Sequence, residues 1–319
     1  MMRHYNIPIF VPHKGCPNDC VFCNQKKITG ERESKNLAET EVVIKEALST
    51  MKRPYYAEIA FFGGSFTGID ISLQKKYLEI AEKFIRSGEV DGIRLSTRPD
   101  YISAEILDML KNHGVTAVEL GAQSMDDEVL TKNRRGHRAE DTVKAVKLLK
   151  EYGFETGLQM MTGMYGSDSE KDILSGRKIA GLSPDTVRIY PTVVLGDTML
   201  EALYLSGEYV PPTLDESVEV CAALYRIFDE KGIKIIRAGL QSTDTICEKG
   251  SIVAGAYHSA FGELVRSRIL RDEIEEKVKS GEKTIDVDKK QLSAAIGQKK
   301  SNVKYIKEKY GIDIEVKGI

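Results

Sequence analysis

The chain has 319 residues, of which 46 are Lys or Arg and 48 are Asp or Glu, and its formal net charge is −2. This length suffices for one large α/β domain with a small appendage, and the content of 41% hydrophobic and 29% charged residues is typical of a soluble globular protein. The balance of charge excludes nucleic-acid binding by bulk charge, so any such binding must come from a local patch. No apolar run approaches the ~20 residues of a membrane span, and the N-terminal residues lack the apolar core of a signal peptide.

The first element is a short apolar run at residues 7–13, which predicts a β-strand and leads into three closely spaced cysteines. Cys16, Cys20 and Cys23 have the spacing C-x3-C-x2-C, in a loop that also contains Gly, Pro, Asn and Asp. Three thiolates this close in sequence can hold three irons of a 4Fe-4S cluster. The fourth iron is then open to a ligand that does not come from the protein.

Two other uses of these cysteines have to be weighed. A Cys3His zinc site would also use clustered thiolates, with His4 or His13 as the fourth ligand. A disulfide framework is disfavoured, because the cysteines number five and the chain is long enough to bury a core without cross-links. The cluster is the favoured interpretation. An oxygen-sensitive cluster and free cysteines together predict a reducing, cytoplasmic location.

Short β-type runs alternate with amphipathic helical patterns along the rest of the chain. The predicted strands are residues 7–13, 58–64, 92–98, 117–123, 155–163 and 186–194, with a weaker one at 234–241. The predicted helices are residues 39–52, 73–87, 103–112, 139–151, 169–180 and 214–231. Because strands that alternate with helices pair in parallel, this order predicts an α/β fold with a partial or closed TIM-like barrel. The first loop lacks the G-x-G-x-x-G of a Rossmann sheet.

Polar residues and glycines recur at one end of the predicted strands. They are Gly63, Gly64, Ser65, Ser96, Arg98, Gln123, Gln159, Arg188, Tyr190, Arg237 and Gln241. Barrel enzymes place their chemistry at the C-terminal strand ends, because the loops converge there over a packed interior. One Arg at a strand end is more often part of a surface salt bridge than a ligand. Agreement among six strands favours a functional site at this end.

The cysteine spacing, followed one βα unit later by Gly63-Gly64, resembles the radical SAM superfamily. This resemblance implies a 4Fe-4S cluster on Cys16, Cys20 and Cys23, with the amino and carboxylate groups of S-adenosylmethionine (SAM) on the open iron. It places Phe22 beside the adenine and the glycine pair near the SAM amino group. Ser65 stands where the superfamily usually has Glu.

Later blocks narrow the resemblance to the radical SAM core of the Elongator catalytic subunit. These blocks are residues 96–101, 118–124, 133–137, 159–161, 188–194 and 207–209. The resemblance covers about residues 7–240 and implies an enzyme that modifies the wobble uridine of tRNA, supplied with electrons by a donor such as ferredoxin or flavodoxin. Three features depart from that family: the short first cysteine gap, Arg188 in place of Lys, and a chain that ends where the acetyltransferase domain would begin.

The cofactor-binding residues predicted on this basis lie at the predicted strands and in the cysteine loop. Apart from Phe22 in the cysteine loop, they belong to only five of those strands or follow them directly: Phe22, Gly63, Gly64, Ser65, Ser96, Arg98, Glu119, Gln123, Gln159, Arg188 and Tyr190.

Some residues have competing interpretations. Glu119 is either a buried, paired carboxylate or a contact to SAM, and the second is favoured because Gln123 follows it on the same strand face. His137 lies either in a phosphate-facing loop or in a solvated turn. Cys221 falls in an amphipathic helix and is expected in the core. Cys247, in a polar loop, is the candidate catalytic residue, as a thiol or hydrogen donor.

A long charged helix is predicted at residues 260–279, and a small unit follows it. Residues 284–287, 292–296, 302–310 and 312–316 predict a strand, two helices and a strand, with a Gly-led basic turn at 297–300. This order resembles a KH module, whose G-x-x-G loop clamps single-stranded nucleic acid. Lys300 replaces the second glycine, and Lys299, Lys300, Lys304 and Lys307 would form one basic edge. The alternative is a small α+β cap with a solvated lysine face.

Together these patterns predict three regions: a radical SAM barrel at 1–245, a helical connector at 246–282 and a KH-like module at 283–319. The predicted function is reductive cleavage of SAM at a 4Fe-4S cluster in order to modify an RNA base, in tRNA. One alternative is a porphyrin-pathway radical SAM enzyme, which would share the cysteine spacing but is disfavoured by the Elongator-like blocks and the basic tail. Another is a non-catalytic RNA-binding protein with a structural metal site.

Overall fold

A computed structural model describes residues 3–11, 19–24, 37–240, 246, 248 and 250–319. Cys16, Gln241 and Cys247 lie outside these residues, and so does His13, the alternative zinc ligand.

The described chain alternates strands and helices over most of its length. The strands are β1 (Arg3–Val11), β2 (Tyr55–Gly63), β3 (Gly92–Thr97), β4 (Val115–Gln123), β5 (Glu155–Thr162), β6 (Thr186–Pro191), β7 (Val193–Leu195), β8 (Lys234–Ala238), β9 (Ile252–Gly255), β10 (Thr284–Val287) and β11 (Glu315–Gly318). The helices are α1 (Leu37–Thr50), α2 (Ile71–Arg86), α3 (Ala104–Asn112), α4 (Asp127–Lys132), α5 (Ala139–Glu151), α6 (Ser169–Gly181), α7 (Met199–Leu205), α8 (Leu214–Asp229), α9 (Phe261–Lys279), α10 (Leu292–Ile296) and α11 (Ser301–Tyr310).

Seven strands form one curled parallel sheet in the order β1-β2-β3-β4-β5-β6-β8. The order of these strands in the sheet is their order along the chain, as in a (β/α) barrel. Within the described residues, however, β1 and β8 do not pair with each other, so the barrel does not close. The predicted α/β fold with a TIM-like barrel is therefore confirmed in its partial form. All carboxyl ends of these strands lie at one edge, because every pair is parallel.

Side-chain oxygens at the helix starts explain where several barrel helices begin. Asp70, Ser103, Asp168 and Thr213 each accept a backbone N–H from the first turn of α2, α3, α6 and α8. Such a cap satisfies donors that have no partner inside the helix. At α8 the cap is reciprocal, because Glu216 also accepts the N–H of Thr213. These caps fix the points at which the loops leave the strand ends.

The predicted strand 186–194 is wrong in one respect, because the structure divides it into two. β6 ends at Pro191, and β7 leaves the main sheet to pair antiparallel with β9. Gly255 makes the close approach possible, since at φ +100° a Cβ there would lie 2.9 Å from the carbonyl oxygen of Thr192. The sequence analysis did not predict β9, which lies inside the proposed helical connector 246–282. A four-residue strand with a distant partner leaves no usable period in the sequence.

The C-terminal unit has the predicted order of strand, helix, turn, helix and strand. β10 and β11 pair in parallel, with α10 and α11 between them in sequence. Its core is shared with α9, which contributes Leu270, Ile274 and Val278 to a cluster with Ile285 and Ile306. Because α9 also packs against α8, this long helix joins the small unit to the barrel. None of the helices in the described part of the chain combines the length and hydrophobicity that crossing a membrane requires.

Candidate functional site

Charged side chains fill the middle of the barrel interior. We call Glu58, Arg94, Glu119, Gln159 and Arg188 the mid-strand network. Arg94 donates to Glu58 at 2.8 Å and to Glu119 at 3.2 Å, and Arg188 donates to both oxygens of Glu119 at 2.6 and 2.9 Å. Gln159 adds a bond to Glu119 at 3.2 Å. Five neighbouring strands, β2 to β6, are thus joined by charge-assisted hydrogen bonds across the interior.

The ionisation of Glu119 follows from these partners. Burial alone would raise the pKa of its carboxyl group, but Arg188 and Arg94 outweigh burial and hold the pKa below its ordinary value. Burial opposes the charge on Arg188 as well, yet Glu119 keeps the pKa of that guanidinium above its ordinary value. The pair is therefore ionised at neutral pH. Of the two interpretations of Glu119, its described contacts are those of a buried, paired carboxylate, and a contact to SAM stays a proposal.

The ends of β2 and β3 are tied together by hydroxyl groups. Ser65 shares a hydrogen bond of 2.7 Å with Thr97, and its oxygen accepts the backbone N–H of Arg98 at 3.3 Å. Arg98 donates through two nitrogens to Asp100, at 2.9 and 2.8 Å. The side chains of Ser65 and Arg98 are thus engaged with protein partners, and what they contribute here is the spacing of the two strand ends.

Gly63 closes β2 beside the cysteine-bearing end of β1. Its φ is +104°, and a Cβ at this position would lie 3.0 Å from the carbonyl oxygen of Val11. A side chain is therefore excluded for two reasons, conformation and space. The glycine at this strand end is a structural requirement, whether or not a ligand also approaches it.

Two of the three predicted cluster ligands are described. Cys20 is buried and Cys23 is half-buried; neither forms a disulfide, and the backbone N–H of Cys23 bonds to the carbonyl of Cys20 at 3.0 Å. The intervening Val21 bonds through its N–H to Asn133, at 3.3 Å, and through its carbonyl to the N–H of Leu200, at 2.7 Å. Two distant segments, after α4 and at the start of α7, thus hold the cysteine turn in place.

Arg135 approaches the cysteine turn from the end of the barrel. It donates to the Cys20 sulfur at 3.3 Å and to the carbonyl of Gly121 at 2.7 Å. From the sequence, residues 133–137 were a block of the family resemblance, with His137 in either a phosphate-facing loop or a solvated turn; a contact with the cysteines was not predicted. No local pattern relates Arg135 to Cys20, because the two are 115 positions apart.

We call Cys20, Gly121, Gln123, Arg135 and His137 the strand-end cluster. A bulge in β4 between Leu120 and Gln123 turns this strand end, and Gln123 has φ 64°. His137 is buried, which excludes the solvated turn; burial, with Arg135 and Arg98 nearby, lowers its pKa to about 4, so that it is neutral at pH 7. Within the described residues, Oε1 of Gln123 and Nδ1 of His137 have no hydrogen-bond partner.

The other predicted site residues divide by location. Ser96 joins the mid-strand network through Gln159 at 3.4 Å, and Tyr190 lies beside Arg188, where burial raises the pKa of its hydroxyl. Phe22 packs in a separate apolar cluster with Leu200 and Tyr209. Cys221 is fully buried and burial raises its pKa to about 12, which confirms the prediction of a core thiol.

Two known family models match successive stretches of the chain. A family model described as the radical SAM superfamily matches residues 10–174, just over half of the chain, and a model of the Radical_SAM C-terminal domain matches residues 184–271. The second match runs from just before β6 to the first half of α9. The predicted superfamily is thereby confirmed.

Individual relatives agree with the family models. A "tRNA uridine(34) acetyltransferase" of Methanocaldococcus jannaschii is 33% identical over 228 residues, which are 65% of this chain and 41% of that protein. "Elongator complex protein 3" of Schizosaccharomyces pombe is 27% identical over 180 residues, or 52% of this chain and 33% of that protein. The chain thus spans well under half the length of these two curated relatives.

A solved structure extends the agreement to the fold. The archaeal Methanocaldococcus infernus Elp3, determined with a deletion of residues 1–46, matches with a TM-score of 0.67 and 24% identity, over 98% of this chain and 68% of that chain. Because the coverage includes almost the whole chain, the two proteins share the barrel and most of the C-terminal region.

Proposed function

The chain belongs to the radical SAM superfamily of enzymes, and from that premise we propose that it holds a 4Fe-4S cluster on Cys16, Cys20 and Cys23, binds SAM beside it and modifies an RNA base, in tRNA. The observation that carries the proposal is that Cys20, one turn before Cys23, contacts Arg135 in the strand-end cluster of a parallel half-barrel, and that neither cysteine forms a disulfide. Barrel enzymes bind their reactants at this end.

The described residues fit such a cofactor in three ways. A backbone turn joins Cys20 and Cys23, a buried guanidinium lies against the Cys20 sulfur, and polar atoms of Gln123 and His137 have no partner among the described residues. Buried polar atoms in native proteins are almost always satisfied, so unpaired ones at a predicted binding site favour a ligand. When bound, the cluster would supply the electron that cleaves SAM to methionine and a 5'-deoxyadenosyl radical.

The chain's own residues would then bind and orient SAM. Gly63 and Gly64 would lie beside the amino group and Phe22 beside the adenine, and Gln123 would offer its Oε1, which has no partner among the described residues. Ser96, Glu119, Gln159, Arg188 and Tyr190 form the inner wall of the proposed pocket. Ser65 and Arg98 support that wall through Thr97 and Asp100. The role of Cys247 as a thiol or hydrogen donor stays a proposal.

An RNA substrate is supported by the relatives and by the tail. Relatives over this region are named for tRNA uridine chemistry. In the C-terminal unit, Lys299 and Lys300 have φ of 52° and 62° in the turn before α11, and Lys304 follows on that helix with its side chain exposed. Lys307 forms an exposed ion pair with Asp313 at 2.8 Å, which RNA would have to exchange. The region 283–319 is thus proposed as a KH-like RNA-binding module, joined to the barrel by the connector 246–282.

The experiment that tests this function separates chemistry from binding. Anaerobically reconstituted protein, reduced with dithionite or with a flavodoxin, should form 5'-deoxyadenosine from SAM, and nucleoside mass spectrometry of incubated tRNA should reveal a changed base. Cys20→Ala should abolish both products, whereas Cys221→Ala, in the core, should retain the cluster. A protein that binds iron but never cleaves SAM, with or without tRNA, would instead be a binding protein with a structural metal site.

The contribution of the tail has its own measurement. If Lys299, Lys300, Lys304 and Lys307 each contact a phosphate, the affinity for single-stranded RNA should fall as salt is added. A plot of log affinity against log salt concentration should have a slope of about −0.7 per contact, or roughly −2 to −3 in all. The slope is at the shallower end of this range if Lys307 keeps its pairing with Asp313. Replacing the four lysines with Gln should remove most of the slope and leave SAM cleavage without RNA unchanged.

A further inference from the structure

Arg135 places a buried cation on a predicted cluster ligand. One of its terminal nitrogens lies 3.3 Å from the Cys20 sulfur, and both residues are at most 7% exposed. We propose that Arg135 is a positioning residue that raises the reduction potential of the cluster through this N–H···S contact. The inference rests on the proposed function, because it requires the cluster to be bound at Cys20.

The fold holds the guanidinium in this position from several sides. The backbone N–H of Arg135 bonds to Leu130 at 3.0 Å, and Arg134 takes φ 53° so that the chain turns toward the cysteines. The side chain of Asn133 donates to Val129 and Tyr165 at 2.8 Å each. The same segment bonds to the cysteine turn through Asn133 and Val21. Arg135 and Cys20 are therefore parts of one assembly.

The carbonyl of Gly121 binds the second terminal nitrogen of the Arg135 guanidinium. This nitrogen donates to the Gly121 carbonyl at 2.7 Å, and a Cβ on Gly121 would lie 3.5 Å from it and 3.1 Å from the Gln123 amide nitrogen. A methyl group here would crowd the Gln123 amide but would make only an ordinary contact with the guanidinium. The carbonyl thus orients the guanidinium so that its other nitrogen points at the sulfur.

Arg135 brings a charged guanidinium to the Cys20 sulfur. Arg98 is paired with Asp100 through two hydrogen bonds, and His137 is neutral at pH 7. Reduction adds one electron to the cluster, with no bond made or broken. A fixed cation and an N–H donor at a ligand sulfur stabilise the more negative, reduced state more than the oxidised one. The effect is strengthened by burial, which limits screening by water and salt.

The test measures a potential. Wild-type protein, Arg135→Gln and Arg135→Lys are reconstituted anaerobically and titrated with dithionite and redox mediators without SAM, while the EPR signal of the reduced cluster is followed. Arg135→Gln should shift the redox equilibrium toward the oxidised cluster at least tenfold, which is about 59 mV for a one-electron couple. Arg135→Lys keeps the charge, so its shift in reduction potential should be less than half of the shift in Arg135→Gln.

One further variant separates tuning from structure. Arg134→Gln removes an exposed neighbouring cation and should leave the potential unchanged. Equal potentials in wild type and Arg135→Gln at equal iron content would overturn the inference and leave the proposed function intact. If the wild-type protein binds no cluster, both fall together.

Discussion

The mid-strand network and the strand-end cluster are both buried and polar, but they differ in how well their atoms are satisfied. In the network, both oxygens of Glu119 accept hydrogen bonds from Arg188, Arg94 or Gln159. In the cluster, Gln123 and His137 each keep a buried atom without a partner among the described residues. Buried polar groups left unpaired are costly. The network is therefore complete without a ligand, whereas Gln123 and His137 in the cluster keep hydrogen-bonding capacity that no described residue uses.

Two buried carboxyl groups show the same contrast in their charge. Glu119 has two guanidinium partners, which hold its pKa below the ordinary value in spite of burial. Asp172 lies at the start of α6, where burial raises its pKa to about 6; its side chain accepts the N–H of Gly163, at 2.7 Å, and the hydroxyl of Ser167, at 2.6 Å, and no cation among the described residues pairs with it. Burial thus leaves Glu119 ionised beside its guanidinium partners and pushes Asp172 toward neutrality.

The largest expected effect comes from breaking the network. Arg94→Met should lower the free energy of unfolding by about 3–5 kcal/mol, because it leaves the buried carboxyl groups of Glu58 and Glu119 without a shared cation. Urea unfolding followed by circular dichroism measures the change. Lys144→Met, which removes an exposed ion pair with Glu140, is the matched control and should not move the midpoint. Equal midpoints for the two variants would mean that the network does not stabilise the barrel.

A smaller effect, of opposite sign, is expected at Asp172. Between about pH 4 and pH 6 the folded protein keeps this group protonated while the unfolded chain releases the proton, so stability falls as pH rises through this window. Asp172→Asn should remove that slope and gain up to about 3 kcal/mol at pH 8, from a shift of about two pKa units. Glu170→Gln, at an exposed carboxylate in the first turn of α6, serves as the control. A slope that survives in Asp172→Asn would have to come from another group.

The smallest effect separates the two glutamines that sequence analysis grouped as SAM contacts. Gln123→Ala should weaken SAM binding about fivefold, since one hydrogen bond contributes about 1 kcal/mol. Gln159→Ala should change SAM affinity less than twofold and lower stability by about 1 kcal/mol instead, because its amide already donates to Ser96 and Glu119. Calorimetry on reconstituted protein measures both. The reverse order of the two affinities would assign the SAM contact to the network.

Prediction from the sequence succeeded where a pattern was local. The barrel strands follow from short apolar runs such as residues 58–64 and 117–123, so the partial barrel could be predicted. The division of residues 186–194 into β6 and β7 could not, because it depends on β9, about sixty positions later. The prediction also treated the barrel and the tail as separate, although α9 contributes to the cores of both.

The sequence by itself determined the superfamily, because three cysteines at short spacing and a glycine pair one βα unit later are chemical requirements that remain adjacent in the chain. Only the tertiary structure decided which polar groups face one another. Glu119 meets Arg188 across 69 positions and Arg135 meets Cys20 across 115, in both cases because parallel strands bring distant segments to one end or one layer of the sheet. Coulombic and hydrogen-bond partners are set by distance in space, and sequence spacing carries no record of that distance beyond a turn of helix or a strand pair.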